Sequence, residues 1–379
     1  GFRVCAWESP PGYTLTYDGN GATGGSPPAP QTGLSLGASA TLASSAATLS
    51  KPGYYFAGWN TAANGAGTDY AAGASYPVTG NATLYAKWAE FTLAEQMTLV
   101  DIPALDNFTG SGSNGVFVSG RTVSLSAFEM AKYETTYELW YEVRTWALNH
   151  GYTFYRPGQE GHDGTPGAAP TSAKTEPVTM VSWRDVIVWC NAYSEKEGKT
   201  PVYYTDAGFS TPLRVSTFSS VDEENPSPGS EDNPYVKWDA SGYRLPTDLE
   251  WELAARGGDP TNPAWNYTYA GSNTIGDVAW YNGNAGGATH PVRAKAANRL
   301  GLYDMSGNVQ EYCWDWFSGT ITASTPLTGK VSYSSAGRSI KGGSFYNGAT
   351  TSVVTDRNYA MIPRSAGYNC GFRVCTSGD

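Results

Sequence analysis

The sequence predicts an irregular, loop-rich, β-leaning chain in which short strands mix with a few capped helices. Three observations predict it. There are 45 Gly, 26 Tyr and 13 Trp, while only 15% of residues are charged, a mix that favours loop-rich domains over helical bundles. Short alternating runs recur between residues 13 and 133, and three helix-opening signatures punctuate the stretch after them. At 379 residues and 40% hydrophobic, the chain can form two or three domains with their own cores.

The elements follow in order. The pentapeptide GFRVC stands at Gly1–Cys5 and again at Gly371–Cys375. The second copy ends a domain, so residues 1–12 read as the end of a preceding domain or as a linker. Residues 13–89 form a unit of their own. YTLTYDGNG alternates apolar and polar residues and ends in Asp-Gly and Asn-Gly turn signals; GYYFAGWNT and ATLYAKW are two further strand-like pieces. The Ser, Ala, Gly and Pro tracts between them read as loops.

A larger domain spans residues 90–379. FEMAKY alternates up to Tyr133, after which Thr135 and Glu138 read as a capping box. A second helix opens at Ser182, runs on a 3.6 period through Val186, Trp189, Cys190 and Tyr193, and stops at Gly198. A third has Pro246 before a Thr247/Glu250 capping box and ends at Gly257. The stretch from Ser216 to Asn233 reads as a solvated surface turn.

Charge and residue counts exclude several functions. A net charge of −10 repels phosphate backbones, so nucleic acid is not an expected partner. No apolar run is long enough to span a membrane and no signal peptide is visible. The five cysteines, Cys5, Cys190, Cys313, Cys370 and Cys375, include no CxxC pair, and the odd count leaves at least one free thiol. His150, His162 and His290 lack metal-ligand spacing and read as surface or satisfied histidines.

Two resemblances add to this reading. Residues 13–89, through GYYFAGWNT and TLYAKW, resemble the Listeria–Bacteroides repeat, a small β-grasp-like module; the resemblance implies a spacer or adhesion module at a bacterial surface. The ordered set PVTMVSWRDVIVWCN, YRLPTDLEWELAARGG, NRLGLYDMSGNVQEYCWDW and RSIKGGSF with the final GFRVC resembles the formylglycine-generating-enzyme type of C-type lectin fold. That implies an irregular α+β fold from about Thr98 to Cys375.

The same resemblance bears on chemistry. Members that oxidise a substrate cysteine use two cysteines just after the GGS motif to hold copper. Those places fall on Asn347 and Ser352, neither of which is a soft thiolate ligand. No copper and no enzyme activity are therefore expected. Gln310 departs from the family's usual Trp. The DMSGNVQE stretch supplies hard oxygens suited to calcium. By resemblance its ligands are Asp304, the carbonyls of Gly307 and Val309, and Glu311, and the ion is structural.

A second branch of this fold resembles the variable proteins of diversity-generating retroelements, among them a surface lipoprotein of Treponema. In those, the segment before a GFRV-like end is rewritten by adenine-directed mutagenesis. Phe345–Asn369 stands at that place and contains no Lys, Glu, Gln or Trp, residues that adenine mutagenesis of Asn codons cannot produce. Its tyrosines and small polar residues have the composition of a paratope. The expected ligand-binding residues are Tyr346, Asn347, Gly348, Thr350, Thr351, Asp356, Asn358, Tyr359, Ala360, Met361, Ser365, Tyr368 and Asn369, with Arg357 and Pro363 as scaffold. The resemblance implies a bacterial surface protein, secreted or held at the outer membrane by a lipid outside this sequence, that binds a protein or other surface ligand. The rival readings are an oxidase with altered ligands and a structural lectin-like domain.

Overall fold

Strand formation in the N-terminal part follows the alternation of its sequence. Tyr13–Asp18 buries Leu15 and Tyr17 on one face, as a period of two requires. The computed structural model describes residues 12–44, 49–218, 225, 227–317, 319–327, 337–357 and 360–378, so the first GFRVC copy lies outside the described residues. The chain divides into two compact units, Gly1–Thr92 and Leu93–Asp379.

In the first unit, Tyr13–Asp18 pairs antiparallel with Gln31–Leu34 and parallel with Ala82–Glu90. Ala82–Glu90 pairs antiparallel with Tyr54–Asn60, which carries Asp69–Tyr70 at the sheet edge. The tryptophans of the two motifs hold this sheet to its loops. Trp59 is fully buried 4.5 Å from Tyr17 and donates to the Ala43 carbonyl, while Trp88 donates to that of Gly19. The predicted turn is present, with Asn20 and Gly21 at φ +45° and +82°, conformations that Asn and Gly adopt most readily.

Among its described residues the second unit has three helices of two or more turns. In Tyr137–Leu148 the N-cap is Thr136, whose hydroxyl accepts from the Leu139 N–H. The expected Thr135/Glu138 box is one residue out of register. Thr135 instead pairs its backbone with Phe372 and Val178, and the Glu138 carboxylate takes Lys174 at 2.7 Å and Gln96 at 2.9 Å. Helix Trp183–Lys196 has the Ser182/Asp185 capping box, and helix Asp248–Ala255 the Thr247/Glu250 box. Every residue from Trp183 to Ser194 is buried, so this helix is central rather than one-sided. Its polar residues are satisfied inside: Asn191 alone bonds four backbone groups at 202, 203 and 213. Trp140 and Trp189 stack at 5.8 Å, and Phe372 meets both edge-on.

Two four-stranded sheets close the unit. The first runs Tyr243–Arg244, Cys375–Ser377, Phe128–Ala131, Leu99–Ile102 in spatial order; the second runs Ala360–Met361, Arg338–Lys341, Gln310–Trp316, Cys370–Gly371. All seven residues of Gln310–Trp316 are buried. The four described cysteines are buried and free. The stretch from Ser216 to Asn233 is not simply solvated. Asp232 is fully buried, bonded by Arg184 at 2.6 and 2.7 Å, and its carbonyl accepts from Arg338. Among the described residues no helix is long and apolar enough to cross a membrane.

Candidate ligand-binding face

The 338–341 strand delivers the chain into Gly342 and Gly343, both in the left-handed region at φ +89° and +70°. A Cβ on Gly343 would lie 2.6 Å from Ser352 Oγ and 2.8 Å from the Thr351 carbonyl oxygen, so only glycine lets the chain double back here. The next residues alternate in burial. Ser344 is buried and its hydroxyl donates to Asn347 Oδ1 at 2.6 Å. Phe345 is buried, its N–H bonded to the Asn308 carbonyl. Tyr346 then points outward, 60% exposed, and Tyr368, 42% exposed, returns beside it at 5.7 Å with the rings nearly perpendicular. Phe345 underlies both, at 6.4 and 6.2 Å. Such edge-to-face pairs favour rings that hold their geometry.

The structure sorts the expected contact residues. Tyr346, Thr350 and Tyr368 are exposed; Asn347, Gly348, Thr351, Ala360, Met361, Ser365 and Asn369 are half-buried; Asn358 and Tyr359 lie outside the described residues. Asp356 is a correction. It is buried, 9% exposed, and its carbonyl accepts from the buried Lys341. Met361 leans inward, its sulfur accepting from the Tyr312 hydroxyl, which also donates to the Ser365 carbonyl. The open face therefore consists of residues 346–351 with Tyr368 and Asn369. Arg357 pairs with buried Asp248 at 2.7 Å, as scaffold. Gln310 clamps the far end of the segment: its N–H donates to the Asn369 carbonyl and its Oε1 accepts from Asn369 Nδ2.

Asn347 is held by Ser344 and accepts from the Asn282 N–H at 3.0 Å. Ser352 is fully buried. Among the described cysteines, Cys370 is the one nearest the segment, and burial pushes its thiol up to about 12.

Residues 106–377 match the sulfatase-modifying factor enzyme 1-like domain. The chain belongs to that family. Residues 13–87 match the Listeria–Bacteroides repeat domain. The chain is 35% identical over 253 residues to the chaperone protein LppX of Paenibacillus barcinonensis, covering 60% of this chain and 74% of that one. It is 32% identical over 164 residues to the formylglycine-generating enzyme of Streptomyces coelicolor, covering 38% of this chain and only 49% of the enzyme. Among solved structures, CarF superposes with a TM-score of 0.58 at 27% identity, over 75% of this chain and 99% of CarF. Treponema denticola variable protein 1 superposes with 0.56 at 30% identity, over 74% of this chain and 95% of that one. The fold is thus the C-type lectin fold of the formylglycine-generating-enzyme type.

Below the face, the sulfatase-modifying factor domain gathers Glu134, Asp304, Glu311 and Arg373 in its interior. All four are buried. Arg373 makes three bonds to the two Glu311 oxygens at 2.6–2.9 Å, and Trp251 Nε1 adds a fourth at 2.7 Å. Asp304 sits at φ +57°; its Oδ2 accepts from the Arg293 N–H at 2.8 Å, and its buried Oδ1 has no protein partner. The expected calcium set fits in part. Asp304 has a free oxygen for a cation, whereas the Glu311 carboxylate already serves a guanidinium. One guanidinium against three carboxylates leaves negative charge buried. Burial, with Asp304 and Glu311 alongside, pushes Glu134 well above the usual carboxylate range, and burial pushes Asp304 to about 6.

Sequence reasoning missed the rim of the face. His162 packs edge-on to Phe345 at 5.2 Å, and Asn282 reaches Asn347. Both come from loops far from the segment in sequence, and no local pattern marks them.

Proposed function

We propose that this sulfatase-modifying factor domain is a surface-displayed binding module that recognises a protein or other surface ligand without a covalent step. Its face, centred on Tyr346 and Tyr368, is diversified by a retroelement. The observation that carries the reading is the pair of exposed tyrosines on a buried, glycine-locked turn. Large amphipathic side chains at low entropy cost are what a paratope needs. The likeness to Treponema denticola variable protein 1 and the absence of Lys, Glu, Gln and Trp from residues 345–369 support diversification. The Listeria–Bacteroides repeat supports surface display. Asn347 and Ser352 at the thiolate positions support a non-enzymatic role. An adenine-rich template copy of the last segment beside a reverse transcriptase gene is the genomic observation expected.

The protein-level test is a pair of substitutions. Tyr346→Ala and Tyr368→Ala should fold normally, shifting unfolding free energy by less than about 0.5 kcal/mol. Each should weaken binding to a partner selected from displayed host and bacterial surface proteins by about 2 kcal/mol. Unfolding of both variants would make these tyrosines packing residues. Formylglycine formed in a cysteine-containing peptide, with copper and oxygen, would restore the oxidase reading.

Calcium belongs to the same proposal, as a structural ion taken through Asp304 Oδ1. The purified protein should carry about one calcium per chain by elemental analysis. A chelator should lower Tm, because an ion at a hundredfold excess over its Kd stabilises by about 2.7 kcal/mol. Asp304→Asn should lose that response. A metal-free protein with an unchanged melting curve would leave Asp304 as a buried hydrogen-bond acceptor alone.

A further inference from the structure

The rim of the face carries charge that the segment itself lacks. In residues 346–351 and 368–369 no side chain is ionised. His162 Nδ1 stands 3.6 Å from Asp163 Oδ1, and the Asp163 side chain is 81% exposed. The His162 ring rests on Phe345, which underlies Tyr346 and Tyr368. Asp163 therefore stands at the rim of the tyrosine pair, with two rings, His162 and Phe345, between them.

Behind it stands a second carboxyl group. The His162 N–H donates to Thr289 Oγ1, whose hydroxyl donates to Glu176. Burial pushes Glu176 up to about 7, with Asp163 and Glu160 adding to it. The neighbouring cations are committed elsewhere. Lys174 pairs with Glu138 at 2.7 Å, and Lys295 lies over Trp280 at 4.0 Å and donates to the Gly276 carbonyl. Arg364, the segment's remaining cation beside scaffold Arg357, sits on the turn that the Arg184 N–H binds through the Pro363 carbonyl.

Two tyrosine rings, with a rim carboxylate whose ion-pair partner among the described residues is His162 rather than a lysine or arginine, form an acceptor for a cation. Ring faces attract ammonium and guanidinium groups through their quadrupole, and guanidinium stacks as well. We propose that the face takes a cationic protein epitope, with an Arg or Lys side chain held against Tyr346 and Tyr368 and the exposed Asp163 carboxylate at the rim attracting the epitope's positive charge. The inference rests on the binding reading and names the class of its partner. Asp163 lies outside residues 345–369, so its contribution persists when the segment's sequence changes. The whole chain, at −10, adds long-range attraction to such a partner.

The probe is a fluorescent nona-arginine peptide titrated into the full chain, with nona-glutamate beside it. Nona-arginine should bind and nona-glutamate should not. Asp163→Asn and Tyr346→Ala should each weaken binding about fivefold, Tyr346→Phe less than twofold, as a ring-face contact requires. Asp101→Asn removes the same charge from an exposed position on the Leu99–Ile102 strand of the other sheet and should cost less than twofold. Equal losses for Asp163→Asn and Asp101→Asn would mean unspecific attraction and overturn the proposal, as would no binding of nona-arginine. If either occurs while Tyr346→Ala still abolishes binding to a display-selected partner, the cationic class falls and the binding face stands.

Discussion

Arg373→Met is expected to unfold the C-terminal unit or bring it to the edge of unfolding. Arg373 is fully buried and spends its guanidinium on the Glu311 carboxylate and on the carbonyls of Ala131 at 3.1 Å and Tyr303 at 2.8 Å. It thereby ties the end of the chain to the first sheet and to the turn that carries Asp304. Methionine fills much of the volume but strips Glu311 of its guanidinium, leaving the carboxylate with the Trp251 bond alone beside Asp304 and Glu134. Removing one partner of a buried ion pair costs about 3–5 kcal/mol, a large part of the roughly 5–15 kcal/mol that holds a domain folded. The measurement is urea unfolding followed by circular dichroism. Arg373→Met/Glu311→Gln should recover a good part of the loss, because it removes the stranded charge. A shift below about 1 kcal/mol for Arg373→Met alone would show that Glu311 does not depend on it.

Gly343→Val should be as damaging, for a backbone reason. At φ +70° a β-branched residue is strained before it touches anything, at about 1–3 kcal/mol. Its Cβ also meets Ser352 Oγ at 2.6 Å and the Thr351 carbonyl oxygen at 2.8 Å. Trimming the hydroxyl with Ser352→Ala cannot relieve the backbone clash, so Gly343→Val/Ser352→Ala should remain unfolded. Gly348→Ala, five residues on, is the contrast. Gly348 is not at positive φ, and a Cβ there would meet nothing within 4 Å, so thermal unfolding should be nearly unchanged. If Gly343→Val melts like the parent, the turn is not locked and the tyrosine pair loses its rigid base.

Legibility in the sequence tracked how local the cause was. The Ser182 helix start and the Thr247/Glu250 box depend on residues within four positions of chain and are legible as such, while the Asp185 half of the Ser182 box appears only in the structure. The first helix start was misplaced because Thr135 and Thr136 are equivalent in local terms. What separates them is the pairing of Thr135 with Phe372, which is set by the far end of the chain. Gln310 stood out as a departure from the family, and its reason appears only once Asn369 is seen beside it. Asp356 looked like a contact in a polar run, yet the Lys341 ammonium binds its carbonyl and holds it in the interior. Asp232 was read as part of a solvated turn, although Arg184 makes it a buried anchor. Exposure at Tyr346 and burial at Phe345 follow from one Asn308 carbonyl and one glycine pair, which no periodicity encodes.

The position of Cys375–Ser377 has a consequence for synthesis of the protein. This strand lies inside the first sheet, between Phe128–Ala131 and Tyr243–Arg244, and it follows every residue of the face. A ribosome must therefore read through the whole segment before the sheet can close. A stop codon or frameshift within residues 345–369 deletes the strand along with Phe372 and Arg373. Such a message yields a chain without the strand that joins the two halves of this sheet, whereas a missense change at an open position leaves the strand in place. Topology alone thus acts as a proofreading filter, separating complete chains from truncated ones.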